Sequence, residues 1–274
     1  MLVASIIIFV LVIVAVIYVF LVMPRVADAA DMELQSTDYA HRGLHGKSIP
    51  ENSLTAFTLA RDEGYGIELD VRMSSDGKIF VFHDESLSRM CGVDKKLSSM
   101  TAAQIRSVYL SGGREQIPLL TEVLDIVEGK VPLLIEIKSA KNQFELCKRL
   151  ALLLDTYSGA FAIQSFDPRI LQFFKKYRPR FARGQLVSKI RPSKDKNEGH
   201  GRFTCFALNH MLTNVLSRPD FISIDKHFLN EPAFLLATKV FKSKGFVWTV
   251  RKQEPYMFCR QKGLYVIFEN IKPQ

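Results

Sequence analysis

Eight short apolar runs, alternating with helical ones from Tyr39 to the C-terminus, predict an α/β fold closed into a TIM-type (β/α)8 barrel. Two further observations complete the prediction. A strand-like run, Ile79 to His83, follows the second strand after too few residues for a crossover helix, which marks a small insertion there. Leu2 to Met23 carries no charge and as a helix is about 33 Å long at roughly 1.5 Å per residue, enough to cross a bilayer. The expected organisation is a transmembrane anchor over 1–24, a linker over 25–37 and the barrel over 38–274, with its insertion at about 85–116.

The apolar N-terminal stretch lacks the basic start of a cleavable signal and exceeds its usual apolar length of roughly 7 to 15 residues. It is apolar on every face, as a bilayer span is. Arg25 follows it at once, so the positive-inside tendency favours a single-pass protein of the cell membrane with its main domain in the cytoplasm.

The barrel strands are expected at Tyr39 to His41, Ile67 to Asp70, Leu133 to Ile137, Phe161 to Gln164, Phe181 to Leu186, Phe221 to Ile224, Phe246 to Val250 and Tyr265 to Phe268. Helices fit between them, several with start signals. Asn52 precedes Ser53 to Glu63, Asp167 and Pro168 precede Arg169 to Tyr177, and Asn230 precedes Glu231 to Lys244. In Gln143 to Tyr157, Phe144, Cys147, Leu150, Ala151 and Leu154 form one core-facing stripe. Met73 to Lys78, with Asp76-Gly77, is a turn, so Ile79 to His83 pairs antiparallel with the second strand and returns His83 toward the barrel mouth. The insertion, with a helix at Ala102 to Leu110, is placed to cover that mouth.

Composition narrows the functional class. At 47% hydrophobic, 274 residues can fill a core, which excludes a disordered chain. Four widely spaced cysteines without a Cys-x-x-Cys pair read as free thiols. The net charge of +9 is concentrated: Lys138 to Arg202 holds fifteen Lys or Arg against five Asp or Glu. Beside an anchor, that region suits an anionic lipid surface or substrate. No nucleic-acid motif accompanies it, so no nucleic-acid partner is expected.

Chemistry concentrates at the strand ends. In a parallel barrel every strand ends at the same face, so His41, Arg42, Glu68, Asp70, Glu136 and Lys138 meet there. Period-2 alternation points Glu68 and Asp70 to one side, and likewise Glu136 and Lys138. Three carboxylates without clustered cysteine suit a hard divalent cation, Mg²⁺ or Ca²⁺. His41 and His83, each at a strand end before a charged residue, suit proton transfer near neutral pH. His45, His200, His210 and His227 lack that setting and read as surface or packing residues.

The ordered motifs His41-Arg42-Gly43, Glu51-Asn52-Ser53, Glu68-Leu69-Asp70-Val71, His83-Asp84, Glu136-Ile137-Lys138, Gln164-Ser165-Phe166 and Trp248-Thr249-Val250 resemble those of the glycerophosphodiester phosphodiesterase family. The resemblance runs from about Asp38 to the C-terminus. It implies metal-dependent hydrolysis of a small-molecule or lipid-derived phosphodiester. It also implies Glu68, Asp70 and Glu136 as metal ligands, His41 and His83 as acid and base, and Arg42 and Lys138 as phosphate contacts. Glu51 would orient the site and Trp248 would pack against the alcohol. The family commonly ends on a strand with Thr-Asp and a proline, where this chain has Phe268-Glu269-Asn270. Attack by a glycerol hydroxyl activated at the cation and attack by water are both compatible with these residues, and either histidine suits either role.

Overall fold

A computed structural model describes residues 1–25, 34, 37–192 and 201–273. Most of the expected linker therefore lies outside the described residues, as does part of the basic stretch. Leu2–Val22 is one helix, α1, whose residues through Ile17 are exposed and whose end packs against the barrel. Next come β1 (Tyr39–His41), α2 (Leu54–Asp62), β2 (Gly66–Met73) and β3 (Ile79–Val81). The insertion contributes α3 (Ser88–Cys91) and α4 (Ala102–Arg106), and α5 (Leu120–Val127) leads back to the barrel. The rest alternates: β4 (Leu133–Ile137), α6 (Gln143–Leu154), β5 (Phe161–Ser165), α7 (Pro168–Tyr177), β6 (Ala182–Val187), α8 (Arg202–Asn209) and α9 (Asn214–Ser217). It ends with β7 (Phe221–Asp225), α10 (Pro232–Leu235), β8 (Lys244–Val250), α11 (Gln253–Gln261) and β9 (Tyr265–Phe268).

Parallel pairing runs β1-β2-β4-β5-β6-β7-β8-β9, and β9 closes on β1, which makes the eight-stranded TIM barrel that the sequence predicts. β3 stands outside it, antiparallel to β2, with Val71 opposite Val81 and Met73 opposite Ile79. The strands are buried on both faces because helices cover the outside and side chains fill the inside. Tyr39, Leu134, Ala162, Phe221, Phe246 and Ile267 form a plug within the barrel. Gly184 makes room for it: a Cβ there would sit 2.0 Å from the Phe221 ring. A separate apolar cluster, including Phe80, Phe82, Leu87, Met90, Leu97 and Ile105, holds β3 and the insertion together.

Several local expectations need correction. Ser53, not Asn52, caps α2, accepting from the Ala56 N–H at 3.2 Å. The helix expected from Glu231 to Lys244 is α10 plus a π-helical turn ending at Val240. Lys242 takes positive φ and the sheet recruits Lys244 into β8. α4 stops at Arg106, because Tyr109 bridges to Gln116. On α6, Phe144 is 46% exposed, and Leu146 occupies the core beside Cys147 and Leu150. Asp167 and Pro168 start α7 as expected.

A candidate active site at the barrel mouth

Period-2 alternation builds the site directly above the plug. Two residues beyond Tyr39, Leu134, Ala162, Phe246 and Ile267 come His41, Glu136, Gln164, Trp248 and Glu269. Register sets their neighbours: His41 lies opposite Glu68, Asp70 opposite Glu136, and Glu136 opposite Gln164. His41, Arg42, Glu68, His83, Glu136, Lys138 and Trp248 thus line one cavity of about 350 Å³. Asp70, 1% exposed, lies beneath it. Glu51 stays at the rim, hydrogen-bonded to Arg42 at 2.7 Å and Arg89 at 2.6 Å.

The turn after β1 is strained to fit. Arg42 and Asn52 both take left-handed φ, 57° and 54°, which is uncommon for side-chain-bearing residues. Gly43 follows at φ 81°, and a Cβ there would meet the Ala56 backbone at 2.8 Å, so only glycine passes beneath α2. The turn places the Arg42 N–H 3.2 Å from Glu68 Oε2 and lets Asn52 Nδ2 donate to Asp70 Oδ2 at 2.9 Å.

Glu68, Asp70 and Glu136 are all buried, and each can offer an oxygen within 4.8 Å of the others. Lys138 Nζ reaches Asp70 Oδ1 at 2.8 Å and also Glu136. Burial raises all three carboxyl groups, but Lys138 and Arg42 overcome it at Asp70, which stays well below the usual carboxylate range. Glu68 goes well above that range, by burial and then by repulsion from Asp70 and Glu136. Glu136 also rises, by burial, which Lys138 opposes. Three carboxyl groups thus share two cations, Lys138 and Arg42, and the Gln164 amide oxygen adds a buried acceptor without a hydrogen-bond partner. This all-oxygen donor set fits a hard divalent cation.

Each histidine has a carboxylate on Nδ1: Glu269 at 2.9 Å from His41, Asp84 at 2.6 Å from His83. A donating Nδ1–H leaves Nε2 as the atom able to exchange a proton. Burial lowers the pKa of both rings, and Glu269 only partly restores His41. Hydrogen bonds from His41 and Arg251 keep Glu269 ionised despite burial. Arg89 and His83 hold Asp84 at about 2 against its desolvation.

Sequence reasoning missed Glu269, Gln164, Asn52, Arg89 and the pocket-lining His227 and Arg251. Gln164 and Asn52 stand inside the quoted motifs and carried a signal. Glu269, a departure from the usual terminal motif, carried none. His45 lies against His41 and Glu269 within possible ligand range, whereas His210 pairs with Glu231 away from the cavity. His200 lies outside the described residues. The insertion flanks the cavity through Arg89 and supplies none of its lining.

Known proteins resemble this chain in sequence and in fold. A structure from Thermotoga maritima, a glycerophosphodiester phosphodiesterase, is 27% identical with a TM-score of 0.66, covering 85% of this chain and 94% of that one. A phosphodiesterase from Oleispira antarctica, solved with the product sn-glycerol-3-phosphate, shares the fold at 24% identity and a TM-score of 0.69, over 85% and 92%. Among curated proteins, a glycerophosphodiester phosphodiesterase of Bacillus altitudinis is 37% identical over 36% of this chain and 43% of its own length. One from Caldanaerobacter subterraneus subsp. tengcongensis is 33% identical over 54% and 65%. The chain thus spans 43% to 65% of these two relatives' lengths. The family model of the glycerophosphoryl diester phosphodiesterases matches residues 41–270, nearly the whole barrel, and the chain belongs to that family.

Proposed function

We propose that the chain hydrolyses glycerophosphodiesters to an alcohol and glycerol phosphate. The observation that carries this reading is the joining of His41, His83, Arg42, Lys138 and the buried carboxylates around one cavity. Glu68, Asp70 and Glu136 would hold one divalent cation, Mg²⁺ or Ca²⁺. Bound there, it would supply charge for a phosphate oxygen and acidify a nearby hydroxyl. Arg42 and Lys138 bind the remaining phosphate charge, and Glu51 and Asn52 hold Arg42 and Asp70 in place. His41 and His83 divide the proton transfers through Nε2, one taking the nucleophile's proton and the other giving one to the leaving alcohol. Each transfer contributes on the order of 10² to 10⁴ in rate. Trp248, edge-on to Phe166 with its indole N–H unpartnered, walls the alcohol side.

The same reading makes 1–24 a single-pass membrane anchor, 25–37 a linker and 38–274 the catalytic barrel with its insertion at about 85–116. The Arg25 flank favours the cytoplasmic side. α1 also favours lipid-derived diesters as substrates, and a human lysophospholipase D is 30% identical over 45% of this chain and 42% of its own length. The test is hydrolysis of soluble and lipid-derived glycerophosphodiesters with Mg²⁺, Ca²⁺ or EDTA, using wild type, His41→Ala and His83→Ala. Turnover is expected to depend on a cation and on both histidines. Undiminished turnover in either folded variant would remove that residue from the mechanism.

A further inference from the structure

The attachment of α1 gives the barrel a direction. Arg25 ties the end of the helix to the N-terminal rim: its N–H donates to Pro219 O at 2.9 Å, and Nη1 reaches Pro179 O at 3.0 Å and Asp220 at 3.3 Å. These partners stand just before β6 and β7. Val22 O accepts from Asn214 Nδ2, and Arg218 caps the carbonyls of Phe20 and Met23 while its guanidinium lies 4.6 Å over the Phe20 ring. About a turn earlier, Tyr18 comes within electrostatic reach of Glu231, which follows the C-terminal end of β7. α1 therefore lies against the barrel wall, running from the N-terminal rim toward the side on which β7 ends. Leu2 to Ile17, all exposed, extend the helix in that direction by about 24 Å at roughly 1.5 Å per residue, most of a hydrocarbon core of about 30 Å.

α8 stands at the rim where β6 and β7 end, and α9, which follows it, packs on the end of α1. Asn209 pins α8 to the chain leaving β6 through two bonds to the Ile190 backbone, at 2.8 and 2.9 Å. His210 joins it to Glu231 at 2.6 Å, and the Phe206 ring packs on His210 at 4.5 Å. Yet Phe203 is 81% exposed and Phe206 53%, one turn apart, while Cys205 faces inward. Lys189, Arg191 and Arg202 are exposed nearby in sequence. Exposed aromatics with basic neighbours, next to the apolar helix, suit the interface of an anionic bilayer.

We infer that the exposed Phe203 and Phe206 of α8 dock on an anionic phospholipid bilayer, so that the barrel sits with its catalytic mouth toward the membrane. The inference rests on reading α1 as a bilayer span and not on the hydrolytic activity. The surface, its occupant and the resulting orientation follow from the same set of contacts.

The test uses the full chain in vesicles of phosphatidylcholine and phosphatidylglycerol, with or without a phospholipid brominated near its headgroup. Phe203→Trp reports on α8, and wild type, whose one tryptophan is Trp248, gives the background. Leu152→Trp, at a 64% exposed position near the end of α6 and the opposite rim, is the control. Brominated lipid is expected to quench about half of the emission added at 203 and none of that added at 152. Quenching at 203 no greater than at 152, in protein that floats with the vesicles, overturns the docking while leaving the hydrolytic reading intact. Protein that fails to float overturns both the span and the docking. Emission at 203 that depends on protein concentration but not on bromine also overturns it, by making a second copy the occupant.

Discussion

Glu269→Gln separates the roles of the two histidines. Glu269 Oε2 accepts from His41 Nδ1 at 2.9 Å, and Arg251 holds the carboxylate from the other side at 2.9 and 3.1 Å. A hydrogen bond to a charged partner is worth about 1.5 to 3 kcal/mol. With about 1.36 kcal/mol per tenfold in rate, its loss predicts a fall in kcat/KM of roughly 10- to 100-fold. The pH profile carries the sharper information. Glu269 raises the His41 pKa against burial, which has already brought it below its ordinary 6.5. Removing the charge therefore moves the limb that reports His41 to lower pH. If the acid limb moves, neutral His41 is the base; if the alkaline limb moves, protonated His41 is the acid. Asp84→Asn should move the other limb, because Asp84 supports His83 in the same way. The assay is kcat/KM from pH 4.5 to 9 at saturating cation, an interval bracketing the ordinary histidine value. Unchanged rate and unchanged limbs in Glu269→Gln would refute the argument.

Three other perturbations test different parts of the structure. Glu136→Gln should raise the cation concentration for half-maximal activity by on the order of 10- to 100-fold and weaken the thermal stabilisation given by Mg²⁺ or Ca²⁺; an unchanged titration removes it from the ligand set. Asp84, held at about 2 against an ordinary 3.8, stabilises the fold above the ordinary value and loses that contribution as pH falls toward 2. Asp84→Asn should therefore destabilise more at pH 7 than at pH 2, and equal losses in denaturant melts at both pH values would contradict this. Gly184→Ala drives a Cβ into the Phe221 ring and should cost about 1 to 3 kcal/mol, part of which Phe221→Leu in the same chain should restore.

The strands were legible because buried parallel strands read as unbroken apolar runs, and the hairpin because six residues cannot hold a crossover. Helix limits were less so. Asn52 is as good a cap as Ser53 in isolation, but its side chain is taken by Asp70, and the Glu231 helix is cut short where the sheet needs Lys244. The candidate site was legible where a residue stands in a motif at a strand end. Glu269 and Arg251 depend on how β8 and β9 close the barrel against β1, and no local pattern in either segment specifies that pairing. Arg89 reaches Glu51 only because the insertion folds around its own apolar cluster, which lies between distant parts of the chain.

That separate cluster divides the molecule's cooperativity. His41 rides on a central barrel strand, whereas His83 follows β3 and depends on the small core of Phe80, Phe82, Leu87 and Met90. A small satellite core opens at lower free energy than a closed barrel, and local opening proceeds while the rest stays folded. Heating should therefore abolish the proposed hydrolysis before the barrel melts. Activity would be lost when amide exchange around Leu87 to Met100 accelerates, with the barrel strands still protected, and would return on cooling because the barrel remains as a template.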